Sequence, residues 1–225
     1  MDLDPDPPAP AETLRFDRVL LRRWRAGDAD TVDRLVDEAL PHLLPWTVWA
    51  AGHTREAALE YVTAAEREWA AREAFDYAIT VGGTAIGSCA LMRRIGAGGL
   101  EIGYWLHPAG TGQGLATMAA AALVRAAFGL PGVDRVEIHH DEANTASGAV
   151  PARLGFTRVD RRPVPEIPKA PRDVGIDLVW RLLRADADLR APHPDLRAPH
   201  PDLRAPHPDR PHLDRPHPDR PSPAS

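Results

Sequence analysis

The sequence predicts one mixed α/β domain, an open sheet with helices on both faces. Two observations carry this reading. Short apolar runs bounded by glycine or proline alternate with longer runs at helical spacing. An early succession of strands gives way to helices and strands in turn, the pattern of a sheet covered on both sides.

The elements follow in chain order. Thr13 to Trp24 alternates well enough for a first strand, with Leu14, Phe16, Val19 and Leu21 apolar. Asp28 or Asp30 then caps a helix whose apolar positions are Val32, Leu35, Val36, Ala39 and Leu40, and Pro41 and Pro45 are expected to end it. Thr54 is the expected N-cap of a second helix through Leu59, Val62, Ala65 and Trp69. Strands are expected over 75–81 and 85–95, joined by Gly82-Gly83, a hairpin signal. A fourth strand covers 100–106, an alanine-rich helix 115–128, a fifth strand 133–139 and a short helix 143–154. Segments 156–161 and 176–182 close the sheet.

Composition separates the ends from the middle of the 225 residues. All the aromatics lie between Phe16 and Trp180, whereas residues 185–225 hold 11 of the 24 prolines and no aromatic. Such a segment cannot bury enough apolar surface to offset the entropy of ordering it. Its repeat, Asp-Leu-Arg-Ala-Pro-His-Pro from Asp188, has a coiled-coil-like period, but two prolines per repeat exclude a helix. Residues 1–12, acidic and proline-rich, read as a second disordered end, which leaves residues 13–184 as the folded domain.

Charge and cysteine content narrow the function. Acids and bases balance in the middle of the chain, so no basic footprint for nucleic acid is present. No apolar run reaches the roughly 20 residues of a membrane span, and the acidic start is unlike a signal peptide. Lone Cys89, mid-strand, reads as a small buried hydrophobe. A cytoplasmic protein without a metal centre is the expectation.

The informative segment is Gly110-Thr-Gly112-Gln113-Gly114-Leu115-Ala116-Thr117, where a strand feeds a glycine-rich turn that opens into a helix. The first amides of a helix lack internal partners and sit at the positive end of its dipole, so such a turn suits phosphate oxygens. A nucleotide P-loop is excluded because Leu115 follows Gly114 where Lys is required. Thr117 stands where a dinucleotide fingerprint needs glycine or alanine. By itself the turn is as compatible with a structural role as with an anion site.

Together with Asn144-Thr-Ala-Ser147 and the Leu154-Gly155-Phe156 that ends its helix, this loop resembles the GNAT N-acetyltransferase superfamily. That family's Gln/Arg-x-x-Gly-x-Gly/Ala pattern is matched at Gly114 and Ala116, while Thr111 replaces the usual first residue. Trp46, Trp49 and Glu101-Ile-Gly-Tyr-Trp point further to the RimJ/RimL-like branch, the ribosomal-protein-alanine acetyltransferases. The resemblance implies the acyl-CoA N-acyltransferase fold, with six to seven mostly antiparallel strands splayed between the fourth and fifth. It also implies acetyl-CoA as co-substrate and an amine acceptor, a protein N-terminus among the candidates, in a monomer or homodimer. The alternative is an acyl-CoA-binding module of the same fold that lacks turnover.

Site roles follow from the resemblance. Gly112, Gln113, Gly114, Leu115, Ala116 and Thr117 are expected to hold the pyrophosphate. Main chain at Trp105, Leu106 and His107, with Asn144, is expected to hold the pantetheine. Ser147 is the expected acid for the departing thiolate, since the tyrosine many relatives carry later in this helix is replaced by Pro151; it also reads as a helix-start hydroxyl bonding backbone. Glu101 is the expected base, or else a solvated strand-end acid, with His139, His140 and Asp141 competing. Adjacent histidines on a strand face opposite ways, so at most one serves. Trp46, Trp49, Glu101 and Tyr104 are expected to line the acceptor pocket, and for the two tryptophans a core role is equally consistent.

Overall fold

The computed structural model describes residues 8–164 and 169–187, and in it one eight-stranded sheet organises the chain. The elements are β1 (Thr13–Phe16), β2 (Val19–Arg23), α1 (Ala29–Leu43), α2 (Arg55–Ala71), β3 (Ala74–Val81), β4 (Thr84–Met92), β5 (Gly99–Leu106), α3 (Leu115–Gly129), β6 (Arg135–Asp141), α4 (Thr145–Arg153), β7 (Thr157–Pro163) and β8 (Ile176–Leu183). Strand order is β1-β2-β3-β4-β5-β6-β8-β7. Every neighbouring pair is antiparallel except β5 and β6. The expected architecture is therefore observed.

Each face of the sheet carries its own core. Leu100, Ile102 and Leu106 of β5, with Val136 and Ile138 of β6, pack under α3 and α4. Ala78, Ala85 and Trp24 pack under α1 and α2. The two sets alternate along the strands, as a pleat with both faces covered requires. Eleven residues of α3 are buried, and five of them are alanines.

Four expectations are corrected. The first strand is a hairpin of two, because Asp17 takes a positive φ of 51° and turns the chain, and the sheet thereby gains an eighth strand. Pro41 lies inside α1, which continues to buried Leu43. A proline this near the C-terminal end forfeits one backbone bond, and packing of the last turn outweighs that loss. The strand expected to reach Ile95 stops at Met92. The folded unit also begins before Thr13: the Ala11 carbonyl accepts from Tyr77 at 2.8 Å, and the Glu12 carboxylate bridges Arg23 and Arg25. Composition alone could not show that this acidic residue meets two arginines. At the other end Arg184–Asp186 form a short 3-10 turn, while the repeats from Asp188 onward lie outside the described residues.

Helix α3, which carries the glycine-rich turn at its start, is anchored at its far end by one side chain. The Arg184 guanidinium donates to the carbonyls of Val133 (2.8 Å), Leu130 (3.0 Å) and Phe128. Charged donors suit the unpaired carbonyls at a helix C-terminus. Arg184→Ala is expected to lower unfolding free energy by about 1 kcal/mol in a urea titration, the scale of exposed charged hydrogen bonds; an unchanged midpoint would show that water replaces the anchor.

Candidate active site

The site forms where the sheet comes apart. β5 and β6 pair only from Gly99↔Arg135 to Glu101↔Glu137, after which the parallel strands diverge. The His107 amide bonds Ile86 of β4, so odd-numbered residues of β5 direct their backbone groups to β4. By alternation the even-numbered residues Ile102, Tyr104 and Leu106 direct theirs into the gap. Of the residues expected to hold the pantetheine, Leu106 directs its main chain into the gap, whereas the His107 amide bonds β4.

At the end of β5 the chain turns through Pro108–Gly110 into the glycine-rich loop. Gly112 and Gly114 both adopt positive φ (71° and 74°), which L side chains rarely tolerate, and the second begins α3. No atom lies within 4 Å of where a Cβ on Gly112 would stand. The loop's side chains are turned back on the protein: Gln113 Nε2 donates to the Ala109 carbonyl at 2.7 Å and Thr111 Oγ1 to the Pro108 carbonyl at 2.8 Å. Leu115 and Thr117 are buried and Ala116 packs against the core. What this turn offers a ligand is backbone amides. Arg18, from the β1–β2 turn, donates to the Gln113 carbonyl at 2.8 Å and brings a positive charge beside them. Sequence reasoning missed Arg18, which is 95 residues away in the chain.

On the α3–α4 face of the gap stand Asn144, Ser147 and Tyr104. The Asn144 carboxamide oxygen caps α4 by accepting the Ser147 amide at 3.1 Å, which leaves its NH2 end to donate. The Tyr104 hydroxyl donates to the Ser147 carbonyl at 2.9 Å and lies 3.2 Å from Ser147 Oγ. Burial pushes the Tyr104 phenol above its ordinary range. Tyr104 was expected in the acceptor pocket; its side chain lies on the α4 side of the sheet, against Ser147.

The opposite face holds a charged cluster. Both oxygens of buried Glu101 accept from Arg94, one at 2.8 Å, so the expected base is already a member of a bidentate ion pair. Arg94 could have been anticipated, since it lies just beyond Met92, which pairs with Glu101 across the β4–β5 connection. His139 stands on the same face, with Nε2 2.8 Å from Glu137 Oε2 and Nδ1 3.8 Å from Glu101 and 3.7 Å from Asp177. Burial works against the Glu137 charge, but hydrogen bonds from His139 and Arg181 outweigh it and hold the carboxyl below its usual range. Burial leaves Asp177 above its own.

The competing candidates are structural. His140 Nε2 accepts from Trp180 Nε1 at 3.0 Å and its Nδ1 meets the Asp141 carbonyl at 2.8 Å; burial lowers its pKa, and a Cβ on Gly148 would stand 2.8 Å from its ring. Of the adjacent histidines, only His139 faces the charged side. The Asp141 carboxylate accepts backbone N–H groups from Ala143, Val174, Gly175 and Ile176, fixing the start of α4 and of β8. Trp49 is exposed and tilts against Trp105 with ring centroids 6.0 Å apart, while Trp46 lies beneath Arg172. Cys89 is buried and inert. Among the described residues no helix is long and apolar enough to cross a membrane.

A mixed sheet that opens between two parallel strands beside a phosphate-type helix start defines the acyl-CoA transferase class of α/β folds. Residues 18–157 match the family described as Acetyltransferase (GNAT) domain, and the chain belongs to that family. Solved structures share the fold at low identity. RimJ of Mycobacterium smegmatis, in complex with CoA-disulfide, is 23% identical with a TM-score of 0.67, over 77% of this chain and 86% of that one. RimL, the ribosomal L7/L12 alpha-N-protein acetyltransferase in complex with coenzyme A, is 20% identical with a TM-score of 0.70, over 79% and 99%. The ribosomal-protein-S5-alanine acetyltransferase of Vibrio fischeri is 17% identical with a TM-score of 0.66, over 80% and 99%. No curated protein matches the chain in sequence.

For Asp141, burial raises the carboxyl and four backbone donors lower it, with a net depression. A depressed folded pKa contributes stability that is complete above the unfolded value and lost as pH falls through the folded one. Asp141→Ala is therefore expected to lower Tm by several degrees at pH 7, with the deficit shrinking below about pH 4. A deficit independent of pH would remove the carboxylate from this role.

Proposed function

We propose that the chain acetylates a primary amine, a peptide N-terminus or a small molecule, by direct transfer from acetyl-CoA in a ternary complex. The observation that carries this reading is the division of proton-handling groups across one gap, with Ser147 and Tyr104 on the α4 face and His139 on the other. Family membership and the CoA bound by structural neighbours support it.

Acetyl-CoA, when bound, supplies an acetyl group activated as a thioester. The amides of residues 113–117 suit its pyrophosphate, the gap-facing backbone of Tyr104 and Leu106 its pantetheine, and the Asn144 NH2 an amide carbonyl. His139 donates Nε2–H to Glu137, so its Nδ1 lone pair is the base that takes the acceptor's proton. Glu101, paired with Arg94, lies 3.8 Å from that nitrogen and helps to fix the ring beside the gap. On the other face Ser147 Oγ–H gives its proton to the departing sulfur. In the same step the Tyr104 hydroxyl, within 3.2 Å, turns from the Ser147 carbonyl to give its own proton to Ser147 Oγ, and the phenolate regains one from solvent after CoA leaves. The unit that does this is the 13–184 domain, extended to Ala11 by its contact with Tyr77.

The test is thiol release from acetyl-CoA over a panel of amines. His139→Ala should lower kcat/KM about 10²–10⁴-fold and flatten the ascending limb of its pH profile, with acetyl-CoA affinity unchanged. Ser147→Ala should lower kcat near the lower end of that range. Gly114→Val should abolish acetyl-CoA binding in a folded protein, because position 114 requires positive φ. Retained affinity in that variant would place the phosphates elsewhere.

A further inference from the structure

The connection between α1 and α2 gathers three metal-ligating side chains that the reaction outlined above does not use. Asp33 and Asp37 are four residues apart on α1 and so share one face of that helix. His53 closes the Trp49–Gly52 turn, its amide donating to the Ala50 carbonyl at 3.3 Å, and the next residue, Thr54, caps α2. The His53 Nε2 lies 3.1 Å from Asp33 Oδ1 and 3.8 Å from Asp37 Oδ1. One donor atom from each of the three residues falls within 4.8 Å of the other two. The His53 side chain is only 5% exposed, whereas Asp37 is 63% exposed, so a firmly set imidazole faces a carboxylate that solvent reaches.

Hydrogen bonding among the three does not complete the cluster. Nε2 carries at most one N–H, so it serves only one of the two carboxylates. Even a charged imidazole leaves one of the two negative charges uncompensated. Among the described residues no Lys or Arg pairs with either acid, because Arg34 turns to Glu38 at 3.5 Å and Arg55 to Asp30 at 2.7 Å. Two carboxylates with a neutral imidazole carry the charge that a divalent cation cancels. The spacing suits one as well. Ligands about 2.0–2.2 Å from a metal stand roughly 3.0–3.6 Å from one another. The His53–Asp33 separation already has that value, and Asp37, the exposed member, can rotate to close the rest.

We infer that Asp33, Asp37 and His53 bind a first-row divalent cation of the Zn2+ type, which clamps the turn carrying Trp49 onto α1. One nitrogen and two oxygen donors match Zn2+ and its neighbours, whereas Mg2+ and Ca2+ take oxygen sets. Three protein ligands leave a further position for water. Trp49 tilts against Trp105 of β5 with ring centroids 6.0 Å apart, so the ion also restrains this pair. The inference stands apart from the acetyltransferase reading, since it needs neither acetyl-CoA nor an acceptor.

The experiment is calorimetric titration of the full chain with ZnCl2, with MgCl2 as the control, alongside thermal unfolding and amide NMR spectra recorded with and without Zn2+. Residues 185–225 carry five histidines of their own, so variants rather than truncation separate the two sources of binding. The wild type should bind one equivalent of Zn2+ more than His53→Ala or Asp33→Asn/Asp37→Asn, which both keep those five histidines. Asp37→Asn alone changes only the exposed member and should weaken that equivalent about tenfold. Free Zn2+ at about 100 times its Kd should raise the folding constant about 100-fold, a rise of several degrees in Tm that the double variant lacks. Zn2+ should also shift the amide signals of Asp33, Asp37, His53 and the Trp49–Gly52 turn. Equal stoichiometry and equal Tm shifts in wild type and variants, or spectral changes confined to residues 185–225, would overturn the inference and leave His53 an ion-pair partner of Asp33 alone. Mg2+ binding as tightly as Zn2+ would overturn the choice of ion.

Discussion

The structure turns on three residue pairs. β5 and β6 share a ladder only over Gly99–Glu101 and Arg135–Glu137, and the strands diverge just past its end. A buried strand edge cannot leave its N–H and C=O groups unpaired without cost, so the open edges of β5 and β6 demand water or a ligand with amide-like groups. β8 pairs with β6 along its whole length, from Arg135 to Asp141, and holds it in place while β5 leaves. The gap is thus a built feature of the sheet.

Charge reinforces this geometry. The last in-register pair, Glu101 and Glu137, sets two buried carboxylates side by side, an arrangement that repels unless each finds a cation. Arg94 takes one and Arg181 the other, at 2.5 Å, with His139 bonded to Glu137 besides. Two guanidinium groups thus compensate the two carboxylates at the end of the ladder. On the opposite face Tyr104, Asn144 and Ser147 stand beside the apolar core under α3 and α4.

Much of this was legible in the sequence because it depends on local rules. Gly82-Gly83 marks its hairpin and Thr54 caps α2 by accepting the Ala57 amide at 3.1 Å. The glycine pair at 112 and 114 marks the helix start, and Asn144 with Ser147 occupies the first turn of α4. What escaped depends on contacts between distant segments. The engagement of Glu101 by Arg94, the reach of Arg18 to the loop and the bridging by Glu12 of two arginines leave no periodic trace. Pro41 was read as a stop because the burial of Leu43 could not be seen.

The claim that the gap between β5 and β6 is the cofactor channel is tested most directly by amide hydrogen exchange, read residue by residue by NMR with and without CoA. The account predicts added protection at Tyr104 and Leu106 in β5 and across residues 113–117. Gly103, Trp105 and His107, whose amides already bond β4, should change little. Protection confined to residues outside the gap and the loop, or equal changes at odd and even positions of β5, would contradict it.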